Sequence, residues 1–255
     1  MIQAQEFRDR GYQRISNFLD LDTLSKYREV LEVFHNDWLT KNQDFYNSQA
    51  INSAYLTKVN ALADSQRREL LQLVSSPEIA HELRGIFAEK APCFLNTQLF
   101  FDPKNKDQKN YWHRDIQYTG LSQQEQIKVI TEESQLVVHF RIAFKDENGI
   151  ELIPGSHKRW DTPLELSTRL QEDGRSVDDQ LPNSESVSLN AGDLLIFSAN
   201  IIHRGLYGRE RFSLDILFCE DSPNLLSFIE PSCYPRIEEL KLFSDSSVFR
   251  KFLKV

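Results

Sequence analysis

In the N-terminal third of the chain apolar residues recur every three or four positions, the spacing of one helix face. Beyond residue 93 they crowd instead into short runs of strand length. Gly11 to Phe18 predicts a short strand, after which Asp20 or Asp22 is placed to cap a helix whose apolar stripe is Leu24, Tyr27, Leu31 and Phe34. A second helix is expected from Asp64 through Leu70, Leu71 and Val74. Ser76-Pro77 restarts a third through Ile79, Leu83 and Phe87, with proline in its first turn. The strand-like runs that follow are Phe94–Phe101, Tyr111–Ile116, Leu136–Phe144, Ile150–Ile153, Ser186–Leu189, Leu194–Phe197 and Phe212–Phe218. Turn chemistry separates them at Asp102-Pro103, Asn148-Gly149, Pro154-Gly155 and Ala191-Gly192-Asp193.

Helices followed by many short strands predict a mainly β chain with N-terminal helices, of the double-stranded β-helix or cupin-like jelly-roll class, the helices packing on one sheet. The expectation is one domain over residues 1–255: a helical part at 1–92, a jelly-roll core at 93–220 and a tail at 221–255 that covers the barrel or joins a dimer. Thr119–Ser134 and Asp161–Glu185 are polar enough to be lids over a site or solvated insertions.

Composition narrows the partner. A formal net charge of -8 and an isoelectric point near 5.3 leave no electrostatic footprint for nucleic acid or an anionic membrane. Cys93, Cys219 and Cys233 are too few and too scattered for a disulfide framework or a cysteine-rich zinc site. No stretch approaches the roughly 20 apolar residues of a membrane span, and Met1–Gly11 lacks the apolar core of a secretory signal. A cytoplasmic monomer or homodimer acting on a small molecule is the expectation.

The chemistry gathers at His113-Arg114-Asp115, at His203 far downstream, and at Arg211-Phe212-Ser213. In an extended segment side chains at i and i+2 point the same way, so His113 and Asp115 can approach one ion from one strand end. His203 would complete a face of three ligands and leave other octahedral positions open, the arrangement of non-haem Fe(II) oxygenases. Arg211 and Ser213 share a strand face. Arginine binds a carboxylate bidentately and a nearby hydroxyl can add a hydrogen bond, the competing reading being a structural salt bridge. His35 and His81 have no partner in a ligand pattern.

Taken in order, His113-Arg114-Asp115, the run from Asn148-Gly149 to Pro154-Gly155-Ser156-His157, Ala191-Gly192-Asp193 leading to His203, and Arg211-Phe212-Ser213 resemble the phytanoyl-CoA dioxygenase family of Fe(II)/2-oxoglutarate oxygenases. Phe7-Arg8-Asp9-Arg10-Gly11-Tyr12 resembles that family's N-terminus, so the likeness runs over most of residues 6–218. The resemblance implies that His113, Asp115 and His203 hold Fe(II), that Arg211 and Ser213 bind the distal carboxylate of 2-oxoglutarate, and that O2 is the second cosubstrate. Pro154-Gly155 suits a type II turn, which makes His157 a turn residue rather than a fourth ligand.

Two departures from the family pattern bear on the pocket. Phe100-Phe101-Asp102-Pro103 lacks the basic residue that members carry after that strand, and Arg141 stands where a tryptophan is frequent. If His139 and Arg141 face inward they add positive charge and incline the substrate toward an anionic group. Alternatively Arg141 pairs with Asp215, which shares a face with Arg211 and Ser213. Asn96 and Gln98, on one face of their strand, are placed to meet the C1 carboxylate of 2-oxoglutarate, the substrate, or each other.

The implied reaction is hydroxylation of a C–H bond of a small metabolite or natural-product intermediate, with release of succinate and CO2. Asp115 fills the position that an iron halogenase keeps small for halide, which favours hydroxylation over halogenation. Desaturation, cyclisation and epimerisation use the same ligands. A degenerate barrel serving as a binding or sensing module is the alternative of a different class, and a Zn(II) or Mn(II) hydrolase or isomerase would leave Arg211 and Ser213 without a task.

Overall fold

The computed structural model describes residues 2–133 and 135–252. Five helices dominate the N-terminal third: α1 (Ile2–Arg10), α2 (Leu21–Lys41), α3 (Gln43–Ser48), α4 (Asp64–Val74) and α5 (Pro77–Phe87). Asp20, not Asp22, caps α2, its carboxylate accepting the Thr23 N–H at 2.8 Å, and Ser76 caps α5 with Pro77 behind it. Short strands β1 (Tyr12–Ile15) and β2 (Asn52–Ala54) are interleaved with these helices. After them come β3 (Pro92–Phe101), α6 (Gln123–Lys128), β4 (Val137–Ala143), β5 (Glu147–Leu152), α7 (Pro163–Leu170), β6 (Glu185–Leu189), β7 (Leu194–Ser198), β8 (His203–Gly205), β9 (Phe212–Glu220) and α8 (Pro223–Leu226).

The strands form two antiparallel sheets, one of six in the order β1, β7, β4, β9, β3, β2 and one of three in the order β6, β5, β8. Side-chain parity sorts the large sheet into two faces. Val138, Phe140, Ile142 and Phe144 join Leu194, Ile196, Leu214, Ile216 and Phe218 in a core shared with Leu24, Leu31, Leu70, Leu83 and the other apolar helix residues. On the opposite face Ala143, Leu195 and Phe197 meet Ile150, Leu152 and Leu189 of the small sheet. The jelly-roll class is therefore present, with helices on one outer face and a sheet-to-sheet core within.

Some local expectations give way to stronger constraints. Tyr111–Ile116 is not a strand. Only His113 makes a bridge, to His203, and a 3-10 turn starts at Asp115, so the i, i+2 argument does not explain why His113 and Asp115 converge. Asn148-Gly149 is not a turn between strands but a bulge inside β5, where the register shifts between Glu147 and Ile150 and Gly149 has φ of 79°. A side chain at Gly149 would meet the Val187 carbonyl at 1.8 Å. Asp161–Glu185 is no solvated insertion throughout: α7 packs with Glu165, Ser167, Thr168 and Arg169 buried. The tail packs on the outer face of the large sheet beside the helices, with Tyr234 and Phe249 against Phe94 of β3 and Glu239 against the buried Arg67 at 3.1 Å. Among the described residues no helix is long and apolar enough to cross a membrane.

One helix histidine carries a pH consequence. His35 sits 4.7 Å from Phe101 and 5.7 Å from Phe212, ring to ring, with its buried Nδ1 lacking a hydrogen-bond partner. Burial lowers its pKa from 6.5 to about 4, so the unfolded chain takes up a proton that the native state resists. Its contribution is complete above pH 6.5 and is lost as pH falls toward 4. His35→Phe should flatten the fall in urea midpoint across that window relative to wild type; parallel pH profiles would remove His35 as a cause.

Candidate active site

The site is assembled where the two sheets open. His113 and His203 exchange both backbone hydrogen bonds, at 2.9 and 3.0 Å, which sets their side chains on one side of the bridge with ring centroids 4.2 Å apart. In each ring Nδ1 lies near a carbonyl, 3.1 Å from Tyr111 O and 3.0 Å from Ile201 O. Each carbonyl requires an N–H there, which fixes the tautomer and leaves the Nε2 lone pair free as a ligand. Asp115 Oδ1 lies 3.6 Å from His113 Nε2 and 3.8 Å from His203 Nε2. One ligand atom from each residue falls within 4.8 Å of the others, a spacing one ion can bridge.

Arg114, between the two ligands, explains how a loop can hold this geometry. Its guanidinium donates to Asp161 at 2.7 Å and to the carbonyls of Ser156, Asn200 and Arg159. Asp161 also binds Arg169, which reaches Gln117 in the turn after Asp115 at 2.6 Å. Arg114 thus ties the ligand loop, the Ser156 turn, the approach to His203 and α7 into one buried cluster. Its neighbours lie far away in sequence, which is why the run His113-Arg114-Asp115 alone gave no sign of this role.

His139 and Arg141 face inward, as parity requires, and each is paired with carboxylates of the protein. His139 Nε2 lies 2.6 Å from Asp115 Oδ2 and its Nδ1 3.1 Å from Asp215, while its ring stacks on Phe197. Burial would depress this imidazole, yet the two carboxylates raise it to about 9. Burial would likewise raise the Asp115 carboxyl, but the charged and hydrogen-bonded His139 holds it well below the usual carboxylate range. His203 is lowered to about 3, by burial first and by His113 next, and burial lowers His113 as well. The triad is thus two neutral imidazoles and one anion.

Arg141 binds Glu147 at 2.9 Å and Asp215, its direct cross-strand partner, at 3.3 Å. The expectation that it greets an anionic substrate is corrected to that extent. Ser213 is also diverted: its hydroxyl donates to Glu147, and Ser213 does not line the cavity. Glu147, hidden beside the Asn-Gly bulge, escaped the sequence reading, although a glutamate entering a strand beside a bulge is a signal of an inward acid.

Arg211 is a loosely paired cation at the cavity wall. It is 3% exposed, its Nε is 4.0 Å from Glu147, and neither Nε nor Nη1 has a hydrogen-bond partner. Burial and then Arg141 lower its pKa to about 10, so it stays charged at neutral pH. Gly205 makes room for it, since a Cβ there would lie 2.8 Å from Nη1. Asp102 accepts the backbone N–H groups of Gly208 and Arg211 at 2.7 and 3.2 Å, fixing this loop where a basic side chain was absent. Arg209 by contrast is exposed toward Asp146.

These groups share a cavity of about 760 Å3, with the triad and Arg211 at its walls and Asn96 and Gln98 facing it from β3. The Asn96 carbonyl accepts the Thr97 N–H at 2.7 Å, so these amides are not spent on each other in a pair. Tyr55, Tyr118, Leu121 and Phe228 form an exposed apolar rim, and Glu125, Lys128, Val129 and Glu133 line the cavity beside it. His157 lies elsewhere, 3.2 Å from the Arg8 carbonyl. The residues fit an Fe(II) ion and an oxo acid: three ligand atoms on one side, a vacant volume beside them, and orphaned buried donors within the same cavity.

A family model described as phytanoyl-CoA dioxygenase matches residues 7–207. Among solved structures the chain is similar to iron-bound HygX from Streptomyces hygroscopicus, at 15% identity and a TM-score of 0.62 over 86% of each chain. It is similar to apo EctD from S. alaskensis at 14% identity and 0.60, over 86% of this chain and 76% of that one. It also resembles the non-heme alpha-ketoglutarate-dependent carbocyclase SnoK from nogalamycin biosynthesis, at 18% identity and 0.56, over 86% and 83%. At such identities the shared property is the fold. No curated protein matches the chain in sequence.

Proposed function

The chain belongs to the phytanoyl-CoA dioxygenase family of Fe(II)/2-oxoglutarate-dependent oxygenases, and on that premise we propose that it hydroxylates a C–H bond of a small, uncharged, largely apolar metabolite. The observation that carries this reading is the union of the His113, Asp115 and His203 ligand atoms with the orphaned Arg211 guanidinium in one cavity. Fe(II) with 2-oxoglutarate and O2 supplies the oxidising power, one oxygen atom passing to the product and one to succinate as CO2 leaves. The chain's own residues hold and orient. His113, Asp115 and His203 present the metal face, and Arg211 takes the 5-carboxylate at the other end of the cosubstrate.

Asp115 favours hydroxylation over halogenation. Its Oδ2 is held by His139 while Oδ1 turns toward the histidines, so the carboxylate keeps its place in the ligand set rather than ceding it to halide. Tyr118, whose hydroxyl hydrogen-bonds Tyr111, and the Gln123–Glu133 segment stand at the mouth. Substrate charge follows from what the cavity has left. Arg141 and His139 are paired internally, and Lys128 on the rim pairs with Glu133 at 3.1 Å, so no free cation beyond Arg211 is at hand among the described lining residues for a CoA phosphate. Apolar rim residues and the amides of Asn96 and Gln98 suit a neutral compound bearing a few oxygens.

The test is anaerobic loading with Fe(II) and 2-oxoglutarate, then O2 exposure with a metabolite library, reading succinate and product mass together. The expected result is a gain of one oxygen atom on neutral apolar compounds, with CoA thioesters inert. Loss of two hydrogens or an unchanged mass with inverted stereochemistry would replace hydroxylation by desaturation, cyclisation or epimerisation. Retention of 2-oxoglutarate without succinate from any compound would make the chain a binding module.

A further inference from the structure

Between the two sheets, from the Asp115 turn across β4 and β9 to Glu147 of β5, runs an unbroken alternation of charge. From the metal side it runs Asp115, His139, Asp215, Arg141, Glu147, Arg211, with successive contacts of 2.6, 3.1, 3.3, 2.9 and 4.0 Å. Buried ion pairs of this kind are often neutral or worse for stability than apolar packing. A sheet face selected for stability alone would carry leucine and valine, as the opposite face does. The arrangement has a further property: three donor atoms in it are buried without partners, Arg141 Nη2, Arg211 Nε and Arg211 Nη1.

We propose that Arg141 is a second cosubstrate-binding residue, its Nη2 joining the Arg211 guanidinium on the 5-carboxylate of 2-oxoglutarate. This rests on reading the cavity as an Fe(II)/2-oxoglutarate site. The two guanidinium groups converge. They flank one carboxylate, Arg141 on Glu147 Oε1 and Arg211 toward Oε2, and they lie over the same Phe100 ring at 4.9 and 5.0 Å. Arg141 Nε donates to Glu147 and Nη1 lies 3.3 Å from Asp215 Oδ1 as an ion pair, which holds the plane of the guanidinium, while Nη2 has no partner.

The spacing matches the ligand. Arg141 lies two residues along β4 from His139, which touches Asp115, and two strand residues advance about 6.6 Å. Five carbons joined by bonds of about 1.5 Å reach roughly 5 Å from C1 to C5, so an acid whose keto end lies at the triad places its far carboxylate at the level of Arg141. Glu147 and Asp215 offset the charge of the two arginines, so the pocket accepts one carboxylate without an excess of buried cations. Selection for a dicarboxylate over a monocarboxylate oxo acid is the consequence.

The experiment compares two probes on the Fe(II)-loaded protein by calorimetry under argon: 2-oxoglutarate, and 2-oxopentanoate, which has the same chelating end and no 5-carboxylate. Arg141→Lys keeps the charge between Glu147 and Asp215 but loses the Nη2 donor. It should weaken 2-oxoglutarate roughly tenfold, the scale of one charge-assisted hydrogen bond, and leave 2-oxopentanoate unchanged. Where that variant melts early, Arg141→Gln with Asp215→Asn removes cation and carboxylate together and should show the same selective loss. Equal weakening of both acids makes Arg141 a strut for its neighbours and overturns the proposal. So does unchanged binding of both with loss of substrate turnover, which moves Arg141 to the substrate. Wild-type protein that binds neither acid overturns the oxygenase reading itself.

Discussion

Alanine at position 113 should abolish tight Fe(II) binding and substrate-dependent succinate formation while the melting temperature stays near that of the wild type. The two effects separate because His113 works at the cavity wall and not in the core. Its side chain keeps 15% exposure, and its protein hydrogen bond is the one to Tyr111 O. Losing that bond costs about 1 kcal/mol. On the binding side, groups that merely orient metal ligands typically contribute 10- to 100-fold in affinity, so loss of a ligand itself should exceed about 100-fold. Anaerobic Fe(II) titration with thermal melting checks both halves. Wild-type affinity in the variant would remove His113 from the ligand set, and a collapse in melting temperature would recast it as a structural residue.

The fold could be read from the chain because it depends on local pattern, whereas the candidate triad His113, Asp115 and His203, whose ligand atoms lie within 4.8 Å of one another, was marked by the family resemblance and not by strand spacing. Helix stripes such as Leu24, Tyr27, Leu31 and Phe34, and the strand parity of residues 138–144, are set by a side chain's own neighbours in sequence. His139 and Arg141 alternate along their strand with apolar Val138, Phe140 and Ile142, which pack against the helices and so leave the inward face to the two polar side chains. What those inward residues touch was not legible. Arg141 meets Glu147 only because the Gly149 bulge turns a glutamate that looked like part of a loop into the first residue of β5. Ser213 meets the same carboxylate instead of facing the cavity. Arg114 read as the filler of a ligand motif, whereas four carbonyl or carboxylate partners from residues 156–200 decide its position. Buried charges choose partners by three-dimensional proximity across loops of variable length, and neither periodicity nor spacing reports that.

Arg211→Lys should weaken 2-oxoglutarate binding by roughly ten- to over a hundredfold, the cost of one lost charge-assisted hydrogen bond at about 1.5 to 3 kcal/mol. Charge is conserved in this variant, so the loss tests geometry. Arginine presents parallel N–H groups in a planar fork that takes both oxygens of a carboxylate, and in this chain the Arg211 Nε and Nη1 atoms are buried and unpartnered. Lysine offers a compact ammonium that cannot span both oxygens, and Glu147, with Oε2 facing Arg211, competes for it. The shape of the site is specific to the larger group, because Gly205 leaves open the volume that the guanidinium fills and Phe100 lies flat beneath it at 5.0 Å. The fall should appear in the KM for 2-oxoglutarate and in anaerobic calorimetry, with Fe(II) affinity in the absence of cosubstrate unchanged. Unaltered 2-oxoglutarate affinity would remove Arg211 from the cosubstrate site, and Arg209 could not replace it, since that side chain is exposed and turned to Asp146 at 3.8 Å.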